Sequence, residues 1–150
     1  MKIVFILPVS GGGGGAHSVI QEVNEMVRMG QDVHVAINKS NYVSMLVTYS
    51  DMPLVLGRFF QYETEEELAG FINDGSIAVA TIFTSVRLLK NVMKFKPNII
   101  PAYYVQDYEP LFSAHATPLW QEAYDSYTLI SGMKLFAKTK WLQNMVYKNH

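Results

Sequence analysis

The chain has 150 residues, of which 49% are hydrophobic and 17% are charged, and its formal net charge is -1 at pH 7. This length and apolar content predict one compact domain over residues 1–150. Because the net charge is close to zero, we expect no nucleic-acid partner and at most peripheral contact with a membrane. The absence of cysteine excludes disulfides, thiolate metal sites and a cysteine nucleophile.

The apolar run at the N-terminus is too short for a secretory signal. It covers residues 3–7 and ends at Pro8, and the segment after it has the pattern of a helix that leads to a strand. No apolar run approaches the roughly 18 residues that a membrane-spanning helix needs. The sequence therefore predicts a soluble, cytoplasmic protein.

The first structural unit is a strand, a glycine loop and a helix. An apolar strand covers residues 3–7, five glycines follow at Gly11–Gly15, and helical spacing runs from Ala16 to Met29. Glycine has no Cβ atom to keep a ligand from the backbone, and the helix behind the loop presents unpaired N–H groups and a positive dipole end. This geometry predicts a bound phosphate, carboxylate or sugar hydroxyl at the carboxyl edge of a parallel sheet.

The alternation continues to the C-terminus. Further strands are predicted at residues 33–37, 58–62, 77–83, 102–106 and 134–138. Further helices are predicted at residues 42–49, 119–127 and 141–148. Two more are predicted between these: one starts at a capping box formed by Thr64 and Glu67 and stops at Gly75, and the other starts at Thr84 and ends before Pro97. Apolar strands in strict alternation with helices predict the α/β class, a Rossmann-like three-layer α/β/α domain with a parallel sheet of about six strands.

Two common phosphate-binding patterns fit the glycine loop poorly. A nucleoside-triphosphate P-loop needs lysine and a hydroxyl residue directly after the last glycine, where this chain has Ala16 and His17. The dinucleotide pattern of glycines is present, but a run of five glycines makes that match almost automatic. Its second element, a carboxylate at the end of the second strand, is replaced by Asn38 and Lys39. Lys39 is compatible with a 2′-phosphate, so an NADP-dependent oxidoreductase fragment stays open as an alternative.

Three blocks of sequence carry a family resemblance. They are residues 1–8 (MKIVFILP) with the glycines and residues 30–35 (GQDVHV), residues 104–110 (YVQDYEP), and residues 137–142 (AKTKWL). Through these blocks the whole chain resembles the N-terminal half of a GT-B glycosyltransferase, in particular the retaining family 4 enzymes and their bacterial rhamnosyltransferase relatives. In such enzymes two Rossmann-like domains face each other across a cleft, and the N-terminal one mainly binds the acceptor.

The resemblance implies a function in polysaccharide biosynthesis. The chain would be the acceptor-side half of a hexosyltransferase that moves a sugar from a nucleotide-diphosphate sugar to a saccharide or lipid-linked acceptor, without a cofactor. The C-terminal donor domain would be missing, so the chain alone is expected to be inactive, and no catalytic residue is identified. A non-catalytic ligand-binding module is a further alternative.

A polar and aromatic loop follows the fifth predicted strand. Its side chains offer planar polar groups for adjacent sugar hydroxyls and a ring for the C–H face of a sugar, at the strand end where open parallel sheets bind ligands. The predicted substrate-binding residues are Gly12, Gly13, Gly14, Gly15, His17, Gln106, Asp107, Tyr108 and Glu109. In the structural alternative Asp107 caps a turn, Tyr108 packs under the loop and Glu109 is solvated.

The four histidines do not suggest a metal site, because none has acidic neighbours at ligand spacing. His17, at the start of the first helix, can donate to a sugar hydroxyl or phosphate, but a plain surface position explains it equally well. His34 is expected to be structural.

An apolar stripe marks the last predicted helix. Trp141, Leu142, Met145 and Val146 lie on one face, which we expect to dock on the sheet. If the second domain is missing, part of this stripe is exposed, and exposed apolar surface favours homodimerisation or aggregation.

Overall fold

The computed structural model describes residues 1–150 and contains six strands and seven α-helices. The strands are β1 (Ile3–Ile6), β2 (Val33–Asn38), β3 (Phe59–Tyr62), β4 (Ile77–Ala80), β5 (Ile100–Val105) and β6 (Lys134–Ala137). The helices are α1 (Gly14–Arg28), α2 (Lys39–Thr48), α3 (Pro53–Leu56), α4 (Glu65–Ile72), α5 (Phe83–Val92), α6 (Pro118–Ser126) and α7 (Lys140–Asn149). A short 3-10 helix, Glu109–Phe112, follows β5.

All six strands are parallel and form one sheet in the order β3-β2-β1-β4-β5-β6. This confirms the predicted α/β class and the Rossmann-like three-layer architecture. The strand order reverses between β1 and β4, so the loops at the carboxyl ends of these two strands lead to opposite sides of the sheet. Open sheets of this kind bind ligands at such a switch point.

Both faces of the sheet are packed, because alternate residues of each buried strand point to opposite sides. One apolar cluster joins Val4 and Ile6 to side chains of α4, α5 and α7 and of the segment that follows α6, and the other joins Phe5 and Leu7 to α1, α2 and α3. Tyr103 and Tyr104 are adjacent in β5 and fall into different clusters, and both are buried. Helices on both faces of the sheet bury the two side chains together.

Several element boundaries differ from the predicted ones. The first helix begins at Gly14 instead of Ala16, inside the glycine run, because packing of the buried Ala16 and Val19 outweighs the poor helix propensity of glycine. The fourth strand ends at Ala80 instead of Phe83. Helix α3 and the 3-10 helix were not predicted, since four residues are too few to show a helical period.

The predicted cap of α4 is confirmed in part. The Thr64 side chain accepts a hydrogen bond of 3.1 Å from the Glu67 backbone N–H. The Glu67 carboxylate reaches back to the N–H of Glu63, the residue before the cap, instead of to Thr64 itself. Both bonds satisfy N–H groups at or beside the helix start.

The last helix docks on the sheet as predicted, through Leu142, which is buried, with Met145 and Val146 against the same cluster. Trp141 is 57% exposed. On the opposite face, a groove of about 560 Å³ runs beside α1 over β4, β5 and β6, and Phe136 on its wall is 44% exposed. Self-association through the exposed part of the α7 stripe stays a prediction. None of the helices combines the length and apolar character required to traverse a bilayer.

Candidate ligand site at the carboxyl edge of the sheet

The loops after β1, β4 and β5 meet at the switch point of the sheet. The loop after β1 holds the glycines, the loop after β4 leads into α5, and the loop after β5 holds Gln106 and Asp107. Since β1 pairs with β4 and β4 pairs with β5, all three loops leave the same edge of the sheet next to one another. The glycine loop and the Gln106 loop, which are separated in sequence, are thus brought together.

The first turn of α1 presents unpaired backbone donors. Gly13 is the N-cap of the helix and has no side chain to accept from the turn. The first N–H with a helical acceptor is that of His17, which bonds the Gly13 carbonyl at 2.9 Å. The N–H groups of Gly14, Gly15 and Ala16 therefore have no acceptor in the protein. Unpaired N–H groups at the positive end of a 15-residue helix attract an anionic or strongly polar ligand.

The glycine loop is open toward solvent and closed toward the core. A Cβ atom added to Gly12, Gly13 or Gly14 would meet nothing within 4 Å. A Cβ atom on Gly11 would lie 2.8 Å from Met45 Sδ and 3.3 Å from Tyr49, and the φ angle of Gly11 is +90°. Gly11 is thus required by packing and backbone conformation, whereas the next three glycines leave space for a ligand.

Gln106 lies against the first turn of α1. Its Nε2 and Oε1 atoms would be 3.6 Å and 3.8 Å from a Cβ atom on Gly15. The Oε1 atom is buried and receives no hydrogen bond. A buried carbonyl oxygen without a donor is costly, typically by about 1–3 kcal/mol. A ligand hydroxyl or N–H that donates to Oε1 would remove this cost.

Buried hydroxyls hold β1 and β4 together at the switch point. The Thr81 hydroxyl donates to the Ile6 carbonyl at 2.7 Å, and the Thr81 N–H donates to Ser85 Oγ at 2.9 Å. Both side chains are fully buried. On the other side of the glycines, Ser44 of α2 donates to the Ser10 carbonyl at 2.9 Å. These bonds fix the framework from which the glycine loop projects.

Glu109 and Tyr108 turn toward the interior, so the alternative in which Glu109 is solvated is wrong. One carboxylate oxygen of Glu109 accepts from the Phe83 N–H at 2.8 Å, and the other accepts from the Tyr103 hydroxyl at 3.1 Å. Burial raises the pKa of Glu109 to about 7, although both of these hydrogen bonds oppose the rise. Tyr108 is buried under the loop, as in the structural alternative, with its hydroxyl 3.0 Å from His150 Nε2.

Asp107 and His17 are exposed at this edge of the sheet. The His17 ring stacks on Tyr49, with ring centroids 6.2 Å apart, and the buried Tyr49 hydroxyl has no partner. Nearby on α1, Ser18 accepts a 2.8 Å hydrogen bond from Lys138 Nζ, which places a cation one turn from the free N–H groups. Ligand contact by each predicted residue stays a prediction.

Residues outside the crevice have protein partners. His34 pairs with Asp32 at 2.7 Å, as suits the predicted structural role, and His115 packs on Trp120. At the end of β2, Asn38 caps α2 and Lys39 forms an ion pair with Glu63. Lys39 therefore already has an anionic partner in this structure, which weakens its case as a partner for a 2′-phosphate.

Sequence reasoning missed Thr81, Ser85, Ser44 and Tyr49. Ser85 left a weak signal, because a serine in the first turn of a helix is a common source of capping bonds. The other three act across long sequence separations, such as the 75 residues between Thr81 and Ile6. No local pattern reports such a contact.

No protein-family model matches the sequence, and a search of curated proteins also gives no match. The functional proposal therefore depends on the fold and on the geometry of this edge of the sheet. The first turn of α1 and the loop after β5 together offer three free N–H donors, one buried carbonyl acceptor and the exposed residue Asp107. By its chemistry such a set suits a ligand that carries both an anionic group and hydroxyl groups.

Proposed function

We propose that this domain binds a nucleotide sugar or saccharide in the crevice between β1, β4 and β5, as the acceptor-side half of a glycosyltransferase with GT-B architecture. The observation that carries the proposal is the pairing of two unmet hydrogen-bonding needs at one place. The N–H groups of Gly14 and Gly15 lack an acceptor, and the adjacent Gln106 Oε1 atom lacks a donor.

A phosphorylated sugar satisfies both needs together. Its phosphate oxygens accept from N–H groups at the start of α1, where the helix dipole favours negative charge. Its hydroxyls donate to Gln106 Oε1 and to the exposed Asp107 carboxylate. A simple anion such as sulfate would leave Gln106 without a donor, so the crevice favours a ligand with hydroxyl groups.

A dinucleotide is the second candidate, because the strand order is also that of dinucleotide-binding domains. Against it, β2 ends in Asn38 and Lys39, and both side chains have partners within the protein. No carboxylate at that position holds a ribose. A titration with NADPH, monitored by nicotinamide fluorescence, tests this candidate. Binding with micromolar affinity would favour it over the sugar proposal.

The proposal is tested by NMR titration of the ¹⁵N-labelled chain with UDP-glucose, GDP-mannose and dTDP-glucose. We expect at least one of these probes to shift the backbone amides of Gly12–Ala16 and the side-chain amide of Gln106. Shifts confined to another surface, or none at millimolar concentration, would contradict it.

A pair of glycine variants makes the test specific. Gly14→Val fills open space beside the free N–H groups and is expected to abolish the shifts while the fold survives. Gly70→Val is the matched control, since Gly70 is also a helical glycine with nothing within 4 Å of its Cβ position. The control is expected to bind like the unaltered chain.

A further inference from the structure

Glu109 connects three elements around the crevice. Its carboxylate bonds the first N–H of α5, which follows β4, and the Tyr103 hydroxyl of β5. Its backbone N–H donates to the Tyr127 hydroxyl at 3.2 Å, and that hydroxyl donates to the Asp107 carbonyl at 3.1 Å. The turn after β5 is therefore tied at both of its ends.

In this arrangement both carboxylate oxygens of Glu109 are already bonded within the protein. Glu109 is only 7% exposed, and each of its oxygens already accepts from a protein donor. Gln106, at the start of the same turn, is the residue whose side chain faces the glycine loop. Glu109 therefore holds the turn in place, and Gln106 is the residue that faces the proposed ligand.

We propose that Glu109 is a positioning residue, which fixes the turn after β5 and so holds the Gln106 carbonyl oxygen against the first turn of α1. A charged acceptor at the N-terminus of α5 makes a stronger bond than a neutral one. The groups near the carboxylate are the Tyr103 hydroxyl, the start of α5, Asp107 on the same turn and the Tyr127 hydroxyl, which bonds the backbone N–H of Glu109. Arg87 of α5 pairs with Glu122 instead.

The inference is tested first in the ligand-free chain, by the pH dependence of NMR signals. We expect the Phe83 backbone amide and the Gln106 side-chain amide to titrate with a midpoint of about 7, the pKa of Glu109. In Glu109→Gln this titration is expected to vanish and the Gln106 signal to move. Glu66→Gln, which alters an exposed carboxyl of α4, is the matched control and is expected to behave like the unaltered chain.

An identical Gln106 signal and pH profile in Glu109→Gln would overturn the inference. If Glu109→Gln fails to fold by circular dichroism, Tyr103→Phe takes its place, because it removes one donor to the carboxylate. The midpoint is then expected to rise, since a hydrogen bond to the charged form lowers the pKa. A midpoint that does not move would equally overturn the inference.

The effect on a ligand depends on the proposed function, and the two fail in different ways. We expect Glu109→Gln to bind the responsive nucleotide sugar roughly three- to tenfold more weakly than Glu66→Gln does. If no probe binds but the Gln106 amide still follows Glu109, the positioning role stands and the sugar proposal fails. If a probe binds with equal affinity to both variants, the positioning role fails and the sugar proposal stands.

Discussion

The buried Glu109 carboxyl should make the stability of the fold depend on pH in a direction opposite to that of a salt-bridged acid. Its pKa in the folded chain is about 7, above the ordinary value of 4.5, because burial disfavours the charged form. Between these two values the folded chain holds a proton that the unfolded chain has lost. Stability from this group is therefore complete below pH 4.5 and decreases as the pH rises through 7.

The size of the effect follows from the pKa difference. A rise from 4.5 to about 7 corresponds to about 3 kcal/mol of unfolding free energy that is lost across this range. Glu109→Gln keeps the shape and one acceptor but cannot titrate. We expect its stability relative to the unaltered chain to improve by about 3 kcal/mol between pH 4.5 and pH 8.

Urea unfolding at a series of pH values, followed by circular dichroism, measures this difference. Groups that titrate in both chains cancel in the comparison, which isolates Glu109. Glu66→Gln controls for the altered net charge, because that side chain is exposed. A stability difference that is constant from pH 4.5 to 8, or one that changes in the opposite direction, would refute the reasoning.

Four further predictions concern the framework and the surface. Gly11→Ala should lower the unfolding free energy by about 1–2 kcal/mol, because the φ angle of Gly11 is +90° and the new Cβ atom would collide with Met45. An unchanged urea midpoint would count against this packing argument. Gly14→Ala should raise the unfolding free energy by up to about 1 kcal/mol in the same assay, because alanine favours the helix and open space surrounds this position. A lower unfolding free energy in this variant would contradict the prediction. Thr81→Val should cost about 1–3 kcal/mol by leaving the buried Ile6 carbonyl without its donor, and a neutral result would contradict that bond. Light scattering should show self-association that increases with protein concentration and is weaker in Phe136→Ser, which removes an exposed apolar side chain. A protein that stays monomeric at all concentrations would contradict this prediction.

The sequence predicted the architecture well, because apolar periodicity reports burial directly. Strands that are apolar throughout must be covered on both faces, and their alternation with helices leaves a parallel sheet as the solution. The cap at Thr64 was also readable, since its partner is three residues away. The start of α1 was placed too late, because glycine composition favours a loop and only tertiary packing makes Gly14 helical.

The candidate site was readable only in part. The open glycines and the position of Gln106 follow from the strand-loop-helix pattern and the strand end. The roles of Gln106 and Glu109 could not be separated in this way, because both are polar residues in one short loop. Carboxylates are rarely buried, so a sequence pattern does not predict the burial of Glu109. The donors that bond its carboxylate lie 26 residues away at Phe83 and 6 residues away at Tyr103. Such a contact requires the folded chain.

The central claim is that backbone amides at the start of α1 and the Gln106 carbonyl oxygen receive one ligand together. A crystal structure of the chain with the nucleotide sugar that responds in the titration would test it most directly. The account predicts a phosphate oxygen within hydrogen-bonding distance of the Gly14 or Gly15 nitrogen, and a hydroxyl of the same molecule donating to Gln106 Oε1. A ligand seated elsewhere, for example in the groove beside α1, with both groups still unpaired, would contradict it.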